Sequence, residues 1–141
     1  MAWYGVIGSE NSQGVVQEVR GLQIFISSKA LNCEAFTLAS SVTFDLAIFG
    51  TQVAPGNYTI ITTAGDTPGA GEANANYNDM DRSCNYSVSE GSVRGTLRLT
   101  EVASTVTGSV DVTFPGGGSV DGDFEAEFCA ETPSVTAGCA G

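Results

Sequence analysis

Residues Gly95 to Cys129 read GTLRLTEVASTVTGSVDVTFPGGGSVDGDFEAEFC, and apolar and polar residues alternate in three segments of it: Gly95 to Thr100, Thr107 to Phe114 and Val120 to Phe128. Alternation with a period of two marks a half-buried strand, because successive side chains leave a strand on opposite faces. The pattern predicts three consecutive strands forming a meander. One face carries Leu97, Leu99, Val106, Val110, Val112, Phe114, Val120, Phe124, Ala126 and Phe128. The same parity sends Arg94, Arg98, Asp111, Asp121, Asp123, Glu125 and Glu127 to the other face.

Register follows from where the hairpins close. Closure of Leu99 on Val106 places Arg94 opposite Asp111. Closure of Phe114 on Val120 places Thr113 opposite Asp121, Asp111 opposite Asp123 and Ser109 opposite Glu125. Like charges in direct register destabilise a sheet unless a cation intervenes. The acidic stripe therefore reads either as a solvated face that discourages edge-to-edge aggregation or as a weak surface for divalent cations or basic ligands.

The rest of the chain carries weaker versions of the same signal. Ala2 to Ile7, the Val15, Val16 and Val19 region, and Gly21 to Ser27 read as strands. Val42 to Phe49 alternates cleanly, with Val42, Phe44, Leu46 and Ile48 on one side. The turn chemistry of Ala54-Pro55-Gly56-Asn57 then predicts a hairpin returning through Tyr58 to Thr63. Ala64 to Asn74 reads as a surface loop, Ala75 to Asp81 as an Asn- and Asp-rich loop, and Tyr86 to Val88 as a short strand. About 8 to 10 strands result. The expectation is one all-β domain over residues 1 to 141, an antiparallel two-sheet sandwich or a flattened barrel.

Composition narrows the chemistry. The net charge of −11, with only 5 Lys plus Arg, argues against nucleic acid and anionic lipid, whose binding needs clustered cations. The sequence has no histidine, which removes the commonest general base and zinc ligand. Its four cysteines, Cys33, Cys84, Cys129 and Cys139, form no CxxC pair, so two disulfides and an oxidising compartment are expected. Three connectivities are open. The short tail between Cys129 and Cys139 favours that bridge, leaving Cys33 with Cys84. The opening Met-Ala-Trp-Tyr lacks the basic and apolar runs of a signal peptide, which fits a mature ectodomain carrying a start Met. No stretch has transmembrane length.

Candidate sites are few. Asn74, Asn76, Asn78, Asp79 and Asp81, with Asp66 and Glu72 upstream, supply hard oxygen ligands suited to calcium, without the EF-hand spacing. Asp111, Asp121, Asp123 and Glu125 offer the same chemistry on the stripe. No catalytic residue and no cofactor are expected, calcium being the one ion the oxygen-rich residues suit. Paired carboxylates can serve glycoside hydrolysis at separations of roughly 5 to 9 Å, but no aromatic sugar platform accompanies them. Asn57-Tyr58-Thr59 and Asn85-Tyr86-Ser87 fit the N-glycosylation sequon, which has meaning only in a eukaryotic secretory pathway. Trp3, Tyr4, Tyr77 and Tyr86 read as core aromatics or as the lining of a ligand site.

Gly91-Ser92-Val93, the strands Thr96 to Val102 and Gly108 to Phe114, and the closing Val120 to Cys129, with Cys33, Cys84 and Cys139 placed around them, resemble the closing half of small secreted or lipid-anchored proteins of myxobacteria and related bacteria. The resemblance implies a cell-envelope or secreted location and a β-sandwich fold, and it supplies no catalytic residue. A non-catalytic binding or structural module is the leading expectation. Its partner would be a protein or small ligand, and the precursor would carry a lipid anchor. The alternative is a homo-oligomeric fibre subunit that donates the apolar segment Trp3 to Ile7 to a neighbouring sheet.

Overall fold

A computed structural model describes residues 1–10, 16–29, 31–50, 52–61, 71–90, 94–114 and 116–136. In chain order the strands are β1 (Ala2–Glu10), β2 (Val16–Ser27), β3 (Ala35–Thr37), β4 (Ser41–Phe49), β5 (Gly56–Ile60), β6 (Glu72–Met80), β7 (Tyr86–Glu90), β8 (Arg94–Val102), β9 (Thr105–Thr113), β10 (Ser119–Glu127) and β11 (Ser134–Thr136). The described residues contain no helix. The fold is all-β, and its main sheet runs in the order β1-β2-β4-β6-β5-β8-β9-β10, with β7 also paired to β6. That sheet curls until its two ends meet. Ala2 bridges Phe128 in parallel, and the Cys129 amide donates to the Ala2 carbonyl at 2.7 Å. The result is a nearly closed barrel, the second of the two expected architectures.

Parity explains the core. Leu22, Ile24, Leu46, Leu97, Leu99, Val106 and Val112 project inward and are fully buried, and Val110 and Ala126 join them. The expected meander is present as β8, β9 and β10, each antiparallel to the next. Upstream, the Val15 to Val19 region and Gly21 to Ser27 merge into the single long β2, which pairs with β1 from Val16 to Ile24. Residue 15 lies outside the described residues.

The expected hairpin between Val42–Phe49 and Tyr58–Thr63 does not form. β4 pairs with β2 and β6, whereas β5 pairs antiparallel with β8 and parallel with β6. Local bonds show why. The Gly50 amide donates to the Arg20 carbonyl and the Val53 amide to the Tyr4 hydroxyl, so the chain leaving β4 is held against β2 and β1. Val53 is buried in the core, and the segment crosses to the far side of β6 where a tight turn would have reversed it. The expected Asn- and Asp-rich loop is likewise a strand, because Ala75 to Met80 belong to β6. Glu72 to Asn74 belong to it too, Gly71 is a turn residue before it, and 64–70 of the expected surface loop lie outside the described residues.

A second, smaller core lies on the outer side of β1 and β2. Trp3 and Phe25 have the opposite parity to Ala2 and Ile24, and they stack with ring centroids 5.8 Å apart. Phe36 closes on both, 6.4 Å from Trp3 and 5.2 Å from Phe25, with Met1, Cys129, Leu31 and Leu38 around them. A two-stranded parallel sheet pairs β3 with β11, which follows β10 in sequence, and β3 brings Phe36 to this cluster.

That cluster also decides the disulfides. The expected pairs, Cys33 with Cys84 and Cys129 with Cys139, are overturned, because Cys33 bonds to Cys129 with Cα atoms 5.3 Å apart. β10 delivers Cys129 beside Ala2, and the aromatic cluster draws 31–38 to the same point. Cys84 is disulfide-bonded as well, and Cys139 lies outside the described residues.

Three outcomes test this arrangement. Non-reducing peptide mapping is expected to join Cys33 to Cys129 and, as four cysteines leave one other pairing, Cys84 to Cys139. The 96-residue separation of Cys33 and Cys129 implies a loss of about 4 to 5 kcal/mol in denaturant unfolding of a Cys33→Ala, Cys129→Ala variant. Gly108 allows β9 to pass close beneath β8 and Phe124, since a Cβ there would sit 2.2 Å from the Arg98 carbonyl oxygen. Gly108→Ala is therefore expected to lower stability by about 1 to 3 kcal/mol in the same measurement.

Candidate functional site

The outer face of β8, β9 and β10 is the most charged surface the fold assembles. All four acidic side chains of β10 are exposed there, with Arg94, Arg98 and Asp111 beside them. Parity therefore assigned every charged residue of the stripe to its correct face. The register differs from expectation by one step of two residues. The Phe114 amide donates to the Gly118 carbonyl at 2.8 Å and the Gly117 amide to the Phe114 carbonyl at 3.0 Å. With Gly117 at a φ of 93°, this is a three-residue hairpin loop with a glycine bulge, shorter than the expected loop.

Asp111 therefore stands opposite Asp121, not Asp123, and Thr113 stands opposite Ser119. Asp123 faces Ser109, and Glu125 faces Thr107. On the other side the hairpin closes between Val102 and Val106, and an irregularity between Leu99 and Glu101 shifts the pairing. Arg94 consequently lies opposite Thr113 instead of Asp111, and Thr96 takes the position opposite Asp111. Arg98 pairs with Ser109, one row from both Asp111 and Asp121 and in the same row as Asp123. A shallow concavity of about 620 Å³ is lined by Asn57, Thr96, Arg98, Asp111, Asp121 and Asp123. Its chemistry suits a cationic or hydrogen-bonding ligand at the surface.

The second expected cation set does not converge. Asn76 and Asn78 share the outer face of β6, Asp79 has the opposite parity, and Asp81 follows the strand. Asp81 organises a turn: its Oδ1 accepts from the Ser83 amide at 2.8 Å and the Asn85 amide at 2.9 Å. These bonds, that from Asn85 first, hold its carboxyl below the usual range. Among the described residues no group of three or more acidic or cysteine side chains is placed to hold a metal ion.

Asp45, which carried no signal in the sequence, is the unusual carboxylate. It pairs with Phe25 of β2 and Asn76 of β6 on the outer face, and Asn76 Nδ2 donates to it at 3.1 Å. Burial raises its pKa, and the Asn76 bond opposes that rise. Asn74 Oδ1, on the same face of β6, is buried without a partner. The aromatics are structural where described. Trp3 belongs to the outer cluster, Tyr4 packs edge-on to Phe128, and Tyr77 packs against Phe114. The side chain of Tyr86 lies outside the described residues. Asn57 and Asn85, the sequon asparagines, are exposed.

The site that sequence reading missed is the seam where the sheet ends approach each other. A cavity of about 280 Å³ there has Ile26, Ser27 and Lys29 on one wall and Phe124, Glu125 and Glu127 on the other. Only the closure of the sheet creates it, so no local pattern announces it. Comparison with protein-family models, curated proteins and solved structures gave no match.

Asp45 gives the site a pH signature. Below the unfolded carboxyl's pKa, about 3.9, Asp45 is protonated in both states and carries no penalty. As pH rises through its raised folded pKa, the buried charge forms and stability is lost. Asp45→Asn keeps an acceptor for Asn76, so it is expected to raise Tm at pH 7 and leave it unchanged at pH 3. Thermal unfolding at the two pH values checks this.

Proposed function

We propose that this protein is a non-catalytic binding or structural module of the bacterial cell envelope or the extracellular space. The observation that carries the location is the Cys33–Cys129 disulfide, whose buried Cys129 sits next to the Ala2–Phe128 bridge that joins the two ends of the barrel. A bond at that place is part of the fold, and it is maintained in an oxidising compartment. The resemblance of the closing meander to secreted and lipid-anchored myxobacterial proteins supports the same placement. Among the described residues no helix is long and apolar enough to cross a membrane.

The non-catalytic half of the proposal rests on residue inventory and exposure. The sequence has no histidine, and the carboxylates of the stripe are exposed on a shallow surface. A patterned, exposed acidic surface on a covalently closed scaffold suits recognition. The N-terminal segment fits a fibre donor strand less well, since Trp3 is buried and β1 is paired with β2 of its own sheet from Ala2 to Glu10.

Fractionation of the source cells with thiol labelling tests the proposal. The protein is expected in the envelope fraction or the medium with all its cysteines blocked to the label. Recovery from the cytosol with labelled thiols would contradict it.

A further inference from the structure

We infer that the seam between β2 and β10 accepts an extended strand from a partner protein, apolar on one face and basic on the other, paired in parallel with β10. The inference rests on the binding-module reading and identifies the class of partner.

Hydrogen-bond parity shows which way β10 faces. The Phe114 amide bonds to the Gly118 carbonyl, so the bonded pairs in the β9–β10 ladder are Val112 with Val120, Val110 with Gly122, Gly108 with Phe124 and Val106 with Ala126. Asp121, Asp123 and Glu125 therefore turn their backbone N–H and C=O groups to the opposite side. No described strand pairs with them there. The same side is used only at the end of the strand, where the Cys129 amide bonds to the Ala2 carbonyl. That bond fixes the track and direction of a neighbour, since β1 runs parallel to the chain at Phe128.

The other wall has the matching form. Ala2 pairs with Ile24, and Met1 exchanges two bonds with Phe25, at 2.7 and 2.8 Å. β2 continues to Ser27, beyond the last residue that β1 supplies. A strand following the line of β1 past Met1 would lie between Ile26 and Ser27 on one side and β10 on the other, along the 280 Å³ cavity.

Side chains define the occupant. Val120 occupies an inward position yet is 37% exposed, and Phe124 is half-buried, whereas Val106 and Val112 on the covered strand β9 are at 0%. Apolar residues at alternate positions of an added strand would cover them. On the outer face Asp121 stands directly against Asp111, and Asp123, Glu125 and Glu127 continue the row. Lys or Arg at the intervening positions would stand beside these carboxylates and offset the like-charge pair. Charge also selects a foreign partner over a second copy, because a chain of net charge −11 repels itself and its own edge strand β1 carries no Lys or Arg. This is strand addition, with backbone bonds giving affinity and alternate side chains giving specificity.

The test uses three capped, fluorescein-labelled octapeptides that alternate Val with Lys, Val with Glu, or Pro with Lys, titrated by fluorescence anisotropy into the oxidised protein. The Val/Lys peptide is expected to bind saturably and at least tenfold more tightly than the other two. In the exposed double variant Asp121→Lys, Asp123→Lys the preference is expected to move to the Val/Glu peptide. Equal binding of the Pro/Lys and Val/Lys peptides would overturn the inference, because Pro retains the charge pattern and lacks the backbone donors. Binding unaffected by the double variant would overturn it too, as would the absence of saturable binding by any peptide. A failure here leaves the binding-module reading intact if the protein is found oxidised in the envelope, whereas cytosolic recovery with free thiols overturns that reading whatever the peptides do.

Discussion

The structure depends on one junction, the meeting of Ala2 with Phe128 and Cys129. A long antiparallel sheet with one apolar face must cover that face, and here it does so by curling on itself. Curling succeeds only if the two ends are held together. Ala2 pairs with β2 and bridges the end of β10, while Cys129, next to the bridge, is bonded to Cys33. On the outer side Trp3, Phe25 and Phe36 pack over the same point. Backbone pairing, a covalent bond across 96 residues and an aromatic cluster thus converge on one place.

Much of this architecture was legible in the residues. The inward set of the meander was readable because its strands are half-buried, so polarity reports the face directly. Leu97, Leu99, Val106, Val110, Val112 and Ala126 are all buried as the alternation implies. Register was less legible, because it depends on loop geometry. Gly117 closes the β9–β10 hairpin more tightly than the glycine run alone suggests, and the irregularity after Leu99 has no marker in the sequence. β6 was concealed for another reason. Its inward residues Ala73 and Ala75 are small and its outward ones are asparagines, poor strand formers that read as loop. Its place between β4 and β5 is set by the crossing segment around Val53, a non-local arrangement. The disulfide partners depend on which ends meet, which four isolated cysteines do not disclose.

The charged surface and the core have a common origin. The alternation that buries Ala126 exposes Asp121, Asp123, Glu125 and Glu127, so β10 closes the core and presents the acidic row at once. Its edge is also where closure is incomplete. Beyond the bridge at Phe128 the strand runs with its backbone groups turned outward, and acidic side chains there discourage uncontrolled pairing. A protected but unpaired edge beside a rigid junction is a place where pairing can be made selective by charge.

Amide hydrogen exchange of the oxidised protein tests the role of the junction most directly. The Cys129 amide bonds across it to the Ala2 carbonyl, and the Phe25 amide bonds beside it to the Met1 carbonyl at the end of the β1–β2 ladder. If the junction closes the barrel, both should exchange as slowly as the Ser109 and Asp111 amides of β9, which lies between β8 and β10, because all open only in global unfolding. Fast exchange at Phe25 and Cys129 beside slow exchange at Ser109 and Asp111 would show that the sheet holds together without the junction, and would contradict this account.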